Sequence, residues 1–298
     1  MINSPQTVPF SIGEALMAAW DAARLGSSVL LTGFQENLLN YQDKRPLEVD
    51  YFLKEAQRGV LDILLEAFPD YPVLIQGHEI PPSYNPLGPR WYLVTLDGIR
   101  NFAKLDPFFS ISLSLVGPSE TGELKPLLGV VQAPVLMEMF FASIGDGAFH
   151  VRQTPGKGLT EGSIFVSGEK KLANSFVRTG LSSDFRPEDK IKVGFPNNSS
   201  ARALKASVLK EVGSFGEEGS VSLNLAYVAS GKLEGYFDLN LGPFELLAGN
   251  LILSEAGGTL TDFQGKEYQW GTRADICASN FLVHPFLLEV LQKYPGRN

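Results

Sequence analysis

Trp91-Tyr92-Leu93-Val94-Thr95-Leu96-Asp97-Gly98-Ile99-Arg100-Asn101-Phe102 is the stretch on which the fold turns. Tyr92 to Leu96 is an apolar, β-rich run and reads as a strand. It stops at Asp97-Gly98, a pair suited to a turn. Arg100 then falls on a first helical turn. Asp97 has two readings: a carboxylate placed for chemistry at the end of a strand, or a plain turn and capping residue.

Upstream, Ile12, Leu16, Ala19, Trp20 and Ala23 recur at helical spacing, giving a helix from Ser11 to about Gly33. Ser11 and Glu14 are placed as a capping box. A second helix covers residues 48–68, striped by Phe52, Ala56, Val60 and Leu64 and stopped by Pro69. Strands follow at 73–76, 92–96 and 108–116, then a pair at 127–132 and 137–143. The second half alternates. Strands are expected at 190–195, 233–237, 259–263 and 275–278, and helices at 200–212, 220–230, 244–256 and 280–292. Residues 1–152 therefore read as a helix-plus-antiparallel-sheet unit and 153–298 as an α/β unit, joined near the turn-rich Gln153-Thr154-Pro155-Gly156-Lys157-Gly158.

The bulk numbers exclude several classes. With 25 basic and 33 acidic residues among 298, the net charge is −8 and no basic run appears, so nucleic acid is not an expected partner. Cys277 is the only cysteine, and three His with one Cys lack zinc spacing. No apolar run approaches a membrane span, and the first positive side chain is Arg24. The expectation is a cytoplasmic protein without a membrane partner. An acidic chain that binds an anion needs local positive charge from metal ions, helix N-termini or placed Arg and Lys.

Six short segments resemble, in order, the motifs of the inositol monophosphatase family. They are Gly77-His78-Glu79, the Asp97-Gly98 segment, Gly145-x-Gly147-Ala148-Phe149, Gly219-Ser220, Asp238, and Phe244-Glu245 followed, after eleven intervening residues, by Gly257-Gly258. The resemblance implies a layered αβαβα sandwich, a homodimer, and hydrolysis of small phosphorylated sugars or polyols with magnesium. Glu79 and Asp97 would be the catalytic carboxylates. The metal ligands would be Glu79, the Leu96 carbonyl, Asp97 and Glu245, with His78 in place of a usual Glu. Gly98, Arg100, Gly219, Ser220, Asp238 and Glu245 would contact substrate. Asp50 matches an acidic position in the second helix.

The departures matter as much. Val94 stands where the family has the carboxylate that bridges two metals, and Ile99 where it has the Thr that orients water. Two dications about 4 Å apart repel by roughly 16 kcal/mol at a dielectric of 20, and a bridging carboxylate offsets much of that. The expectation is weak or partial magnesium occupancy. The first functional reading is therefore a phosphomonoester-binding protein with weak or lost hydrolysis. The alternatives are a working phosphomonoesterase with a rearranged metal site and a non-catalytic structural or interaction protein. His78 reads as a metal ligand or an ordinary hydrogen-bonded side chain. Arg100 reads as a phosphate contact or a solvated cation.

Overall fold

The computed structural model describes residues 11–42, 48–81, 84–119, 122–154, 156–181 and 198–293. The strand expected at 190–195 lies outside them.

Helix α1 (Ile12–Gln42) runs well past Gly33, and α2 (Val49–Ala67) packs beside it. Gly33 is not a stop signal. A Cβ there would lie 2.3 Å from Cγ of Phe52, so glycine lets the two helices close on each other. At the start of α1, the Ser11 N–H donates to Glu14 Oε2 at 3.4 Å, one half of the expected capping box.

The first sheet holds seven strands in sequence order. They are β1 (Val73–Ile75), β2 (Arg90–Asp97), β3 (Ser110–Pro118), β4 (Leu124–Ala133), β5 (Glu138–Ser143), β6 (Gly147–Thr154) and β7 (Gly158–Ser163). β1 and β2 are parallel and the rest antiparallel. The turn-rich segment near 155 joins β6 to β7, so the strand beyond it still pairs in the first sheet. A short helix, α3 (Ile99–Ala103), follows β2.

The second sheet has the order β11-β12-β10-β8-β9. Its strands are β8 (Phe176–Thr179), β9 (Ser214–Glu217), β10 (Gly235–Leu241), β11 (Gly258–Asp262) and β12 (Ala274–Asn280). Helices α5 (Val221–Ala229) and α6 (Pro243–Glu255) lie between the two sheets. Both are rich in apolar residues and buried along most of their length, as a helix covered by sheets on both sides must be. Helices α4 (Asn198–Leu209) and α7 (His284–Gln292) cover the outer side of the second sheet. The order of layers is α1/α2, first sheet, α5/α6, second sheet, α4/α7: the αβαβα sandwich read from the sequence. Three apolar cores fill the spaces between layers.

Candidate functional site

Strand β2 carries an irregularity that aims its last residue. Val94 pairs with Ser112 and Asp97 with Ser110, so Thr95 and Leu96 together face the single Ile111. This is a β-bulge. Before it, Trp91 and Leu93 pack on the α1/α2 side, while Tyr92 packs towards α6. Simple alternation would place Asp97 with Leu93. The bulge instead places Leu96 in the α1/α2 core and turns Asp97 to the middle layer. Thr95 is the squeezed residue, and its buried hydroxyl has no partner among the described residues.

Asp97 meets the start of α5 there. Its Oδ2 accepts from Ser222 Oγ at 2.5 Å, Ser222 N at 2.8 Å and Ser220 Oγ at 3.0 Å. Its Oδ1 accepts from Val221 N at 3.2 Å. Ser110 Oγ lies 2.8 Å from Ser220 Oγ and 3.1 Å from Ser222 Oγ. Ser220 itself makes no side-chain cap and holds a strained φ of 61°. A carboxylate from another strand thus caps the helix, with its charge at the positive end of the helix dipole. Burial pushes the Asp97 carboxyl above its usual range, against the pull of the bonds from Ser222, Ser220 and Val221.

Two further acids stand close by. Glu245 opens α6; its Oε2 accepts from Gly242 N at 3.0 Å and its Oε1 from Gln76 Nε2 at 2.8 Å. Burial raises its carboxyl, the charge of Asp97 adds to that, and Arg273 opposes it. Asp238 lies in β10 and accepts from Tyr236 Oη at 2.6 Å and Leu239 N at 2.7 Å. Burial, with the charges of Glu245 and Asp275, pushes its carboxyl up to about 7. Gly180 permits this packing, since a Cβ there would sit 2.2 Å from Asp238 Oδ2.

The raised Asp238 carboxyl has a consequence for stability. A carboxyl raised in the fold contributes stability below its unfolded value near 4 and loses it as pH climbs through 7. Asp238→Asn is expected to flatten the fall in stability between pH 4 and 8 by a few kcal/mol, because each tenfold gain in proton affinity on folding is worth about 1.4 kcal/mol. Urea denaturation at pH 4.5 and 8 checks this; an equal fall in parent and variant would refute it.

The structure brings Asp97, Asp238 and Glu245 within electrostatic reach of each other. Leu96, next to Asp97 in sequence, is buried in the α1/α2 core. Gly98 caps α3 at φ 93°, and a Cβ there would press on Phe108 O and Phe109 at 3.2 Å. Arg100 is exposed on α3. Gly219 abuts the side-chain amide of Asn101. His78 and Glu79 are exposed after β1; His78 Nε2 lies 3.3 Å from Gln57 Nε2, and its Nδ1 lies 3.2 Å from Gln76 O. Asp50 is exposed in the first turn of α2. Val94 is buried, and Ile99 is 46% exposed. Sequence reasoning missed Ser110, Ser222, Gln76, Tyr236 and Arg273. Only Ser222 left a signal, as a second Ser in the Gly-Ser-Val-Ser opening of α5.

The sequence profile of the inositol monophosphatase family matches residues 13–295. The chain belongs to the inositol monophosphatase family. A "Fructose-1,6-bisphosphatase/inositol-1-monophosphatase" of Thermotoga maritima is 31% identical over 283 residues, 95% of this chain and 92% of that protein. A protein named "Nus factor SuhB" of Pasteurella multocida is 25% identical over 249 residues, 82% of this chain and 83% of that one. The solved inositol monophosphatase of Anabaena matches with a TM-score of 0.72 at 26% identity, covering 95% and 97% of the two chains.

Inositol monophosphatases use magnesium, which demands several oxygen ligands in octahedral array. The candidate donors of this member of the family already carry other hydrogen bonds. Among the described residues no three His, Cys, Asp or Glu side chains are placed to hold a metal ion. Asp97 is committed to the cap of α5, Glu245 to Gly242 and Gln76, and Val94 offers no oxygen.

Proposed function

We propose that this chain is a receptor for a small phosphorylated sugar or polyol, with magnesium-dependent hydrolysis weak or lost. The commitment of both Asp97 oxygens to residues 220–222 supports this reading most. A carboxylate holding four donors would have to give up part of the α5 cap to bind a cation. The acidic cluster still offers hydrogen bonds to sugar hydroxyls, foremost Asp238, whose carboxyl titrates near neutrality. Positive charge for a phosphate stands nearby in Arg273, which faces Glu245, and in Arg100 on α3. A cytoplasmic homodimer goes with this reading.

Calorimetry with Mg²⁺ is expected to show no binding tighter than about millimolar, the range left to a site short of carboxylates. Phosphate release from inositol 1-phosphate or fructose 1,6-bisphosphate is expected well below about 1 s⁻¹, the lower end of ordinary turnover. Either sugar phosphate should still bind without metal, and Arg273→Ala should weaken it. A micromolar magnesium constant, or ordinary turnover, would instead establish a working enzyme. No binding by either ester would leave the structural reading.

A further inference from the structure

Between α1 and the later strands of the first sheet lies a cavity of about 230 Å³. It is on the α1/α2 side of that sheet, whereas Asp97 faces the middle layer. Trp20, Arg24 and Ser27 line it from the helix, at spacings that put them on one face. Gln132, Met139 and Val151 line it from the sheet; they pair in register across β4, β5 and β6 and form one row. The exposed Met137 and Leu159 also line it.

Much of the wall is apolar, and two of its buried polar atoms are unmatched among the described residues. Ser27 is 3% exposed and its Oγ has no partner among the described residues. Oε1 of Gln132 is buried and also has none. A buried polar atom left unpaired is costly, so such atoms ordinarily mark a missing partner. Arg24 is exposed and has no ion-pair partner among the described residues. Glu138, the one acid in the lining, is already engaged. Its Oε2 accepts from Tyr227 Oη at 2.8 Å, and Lys232 Nζ and His150 Nε2 crowd its Oε1.

We propose that this cavity binds a small amphipathic carboxylate, with its chain against Trp20, Met139 and Val151 and its head among Arg24, Ser27 and Gln132. A carboxylate takes the guanidinium and the Ser27 O–H as charge-assisted donors. The Gln132 amide, turned about its axis, presents Nε2 as a third donor. The volume holds about eight groups of the size of a water molecule or a methylene, which sets a chain of about six carbons.

Hexanoate is the probe, titrated into the full chain and followed by the three indole N–H signals in nitrogen-15 spectra and by calorimetry. A dissociation constant of about millimolar is expected for so small a ligand. The Trp20 signal should move, and those of Trp91 and Trp270 should stay. Arg24→Gln, at an exposed position, should keep the parent melting temperature and weaken hexanoate about tenfold, the value of one charge-assisted bond. Ser27→Ala should weaken it less. Hexan-1-ol and hexylammonium should not compete. No saturation, a silent Trp20 signal, an unaffected Arg24→Gln variant or equal binding of hexan-1-ol would each overturn the proposal.

Discussion

Asp97→Ala is expected to destabilise the chain by about 3–5 kcal/mol, the range for removing one partner from a buried charged network. Four hydrogen bonds end on this carboxylate, two of them from backbone N–H groups in the first turn of α5. Without it those N–H groups face the buried space between two sheets, and Ser220 keeps its strained φ with only Ser110 and Asn224 to hold it. The four bonds act on one assembly, so their values do not simply add. Relief of the buried negative charge offsets part of the loss. Asp97→Asn should also be costly, because Oδ2 accepts from three donors and an NH₂ group there can accept from none. The destabilisation is expected to be equal within about 0.5 kcal/mol in EDTA and in 1 mM Mg²⁺, since a site no tighter than about millimolar adds little at that concentration. Chemical denaturation in the two buffers checks this. If Mg²⁺ stabilises the parent by more than about 1 kcal/mol and leaves Asp97→Ala unchanged, Asp97 is a metal ligand after all.

Gly129→Val is expected to be as damaging, for a steric reason. Gly129 lies in β4 directly against α6, where a Cβ would come within 2.8 Å of Ala248 Cα and 2.9 Å of its carbonyl oxygen. Those are backbone atoms and cannot rotate aside. Gly129→Ala should cost about 1–3 kcal/mol, as overpacking of a filled core does, and Val more. Valine would wedge α6 from the first sheet and disturb Glu245 at its N-terminus. Gly162→Ala in β7 is the matched control, because its Cβ would meet nothing within 4 Å. Melting temperatures of the three variants test the contrast. Similar temperatures for Gly129→Val and the parent would mean that α6 sits further from the sheet.

The fold is legible in the sequence because each layer writes its own pattern. The α1 and α2 stripes repeat at helical spacing, and the apolar α5 and α6 sequences announce helices without a wet face. Strands β6 and β7 leave no such mark. Gly147 to Ser163 mixes glycines with polar residues, and β7 is almost wholly exposed, so no burial pattern identifies it. Gly33 reads as the end of a helix because glycine carries the same letter whether it stops a helix or lets another one approach.

The site is legible only in part. Asp97, Asp238 and Glu245 can be named because their motifs align with those of the family. Their bonds cannot, since partners more than 100 residues away, such as Ser222 for Asp97 and Gln76 for Glu245, follow from packing alone. Both readings of Asp97 are open from sequence, and neither names the distant helix start, at residues 220–222, that the carboxylate meets in the structure. What residue identity does not encode is the direction in which Asp97 points.

The bulge at Thr95 and Leu96 carries that information in a different form. Along a strand, facing is a matter of odd and even, so one additional residue inverts the assignment of everything after it. The letters Leu-Asp-Gly would survive untouched if the strand kept Thr95 and paired regularly, yet Leu96 would turn to the middle layer and Asp97 to the greasy interior under α1. A motif here is therefore a sequence plus a parity, and a search that matches letters while ignoring one-residue gaps would mistake a buried acid for a capping one.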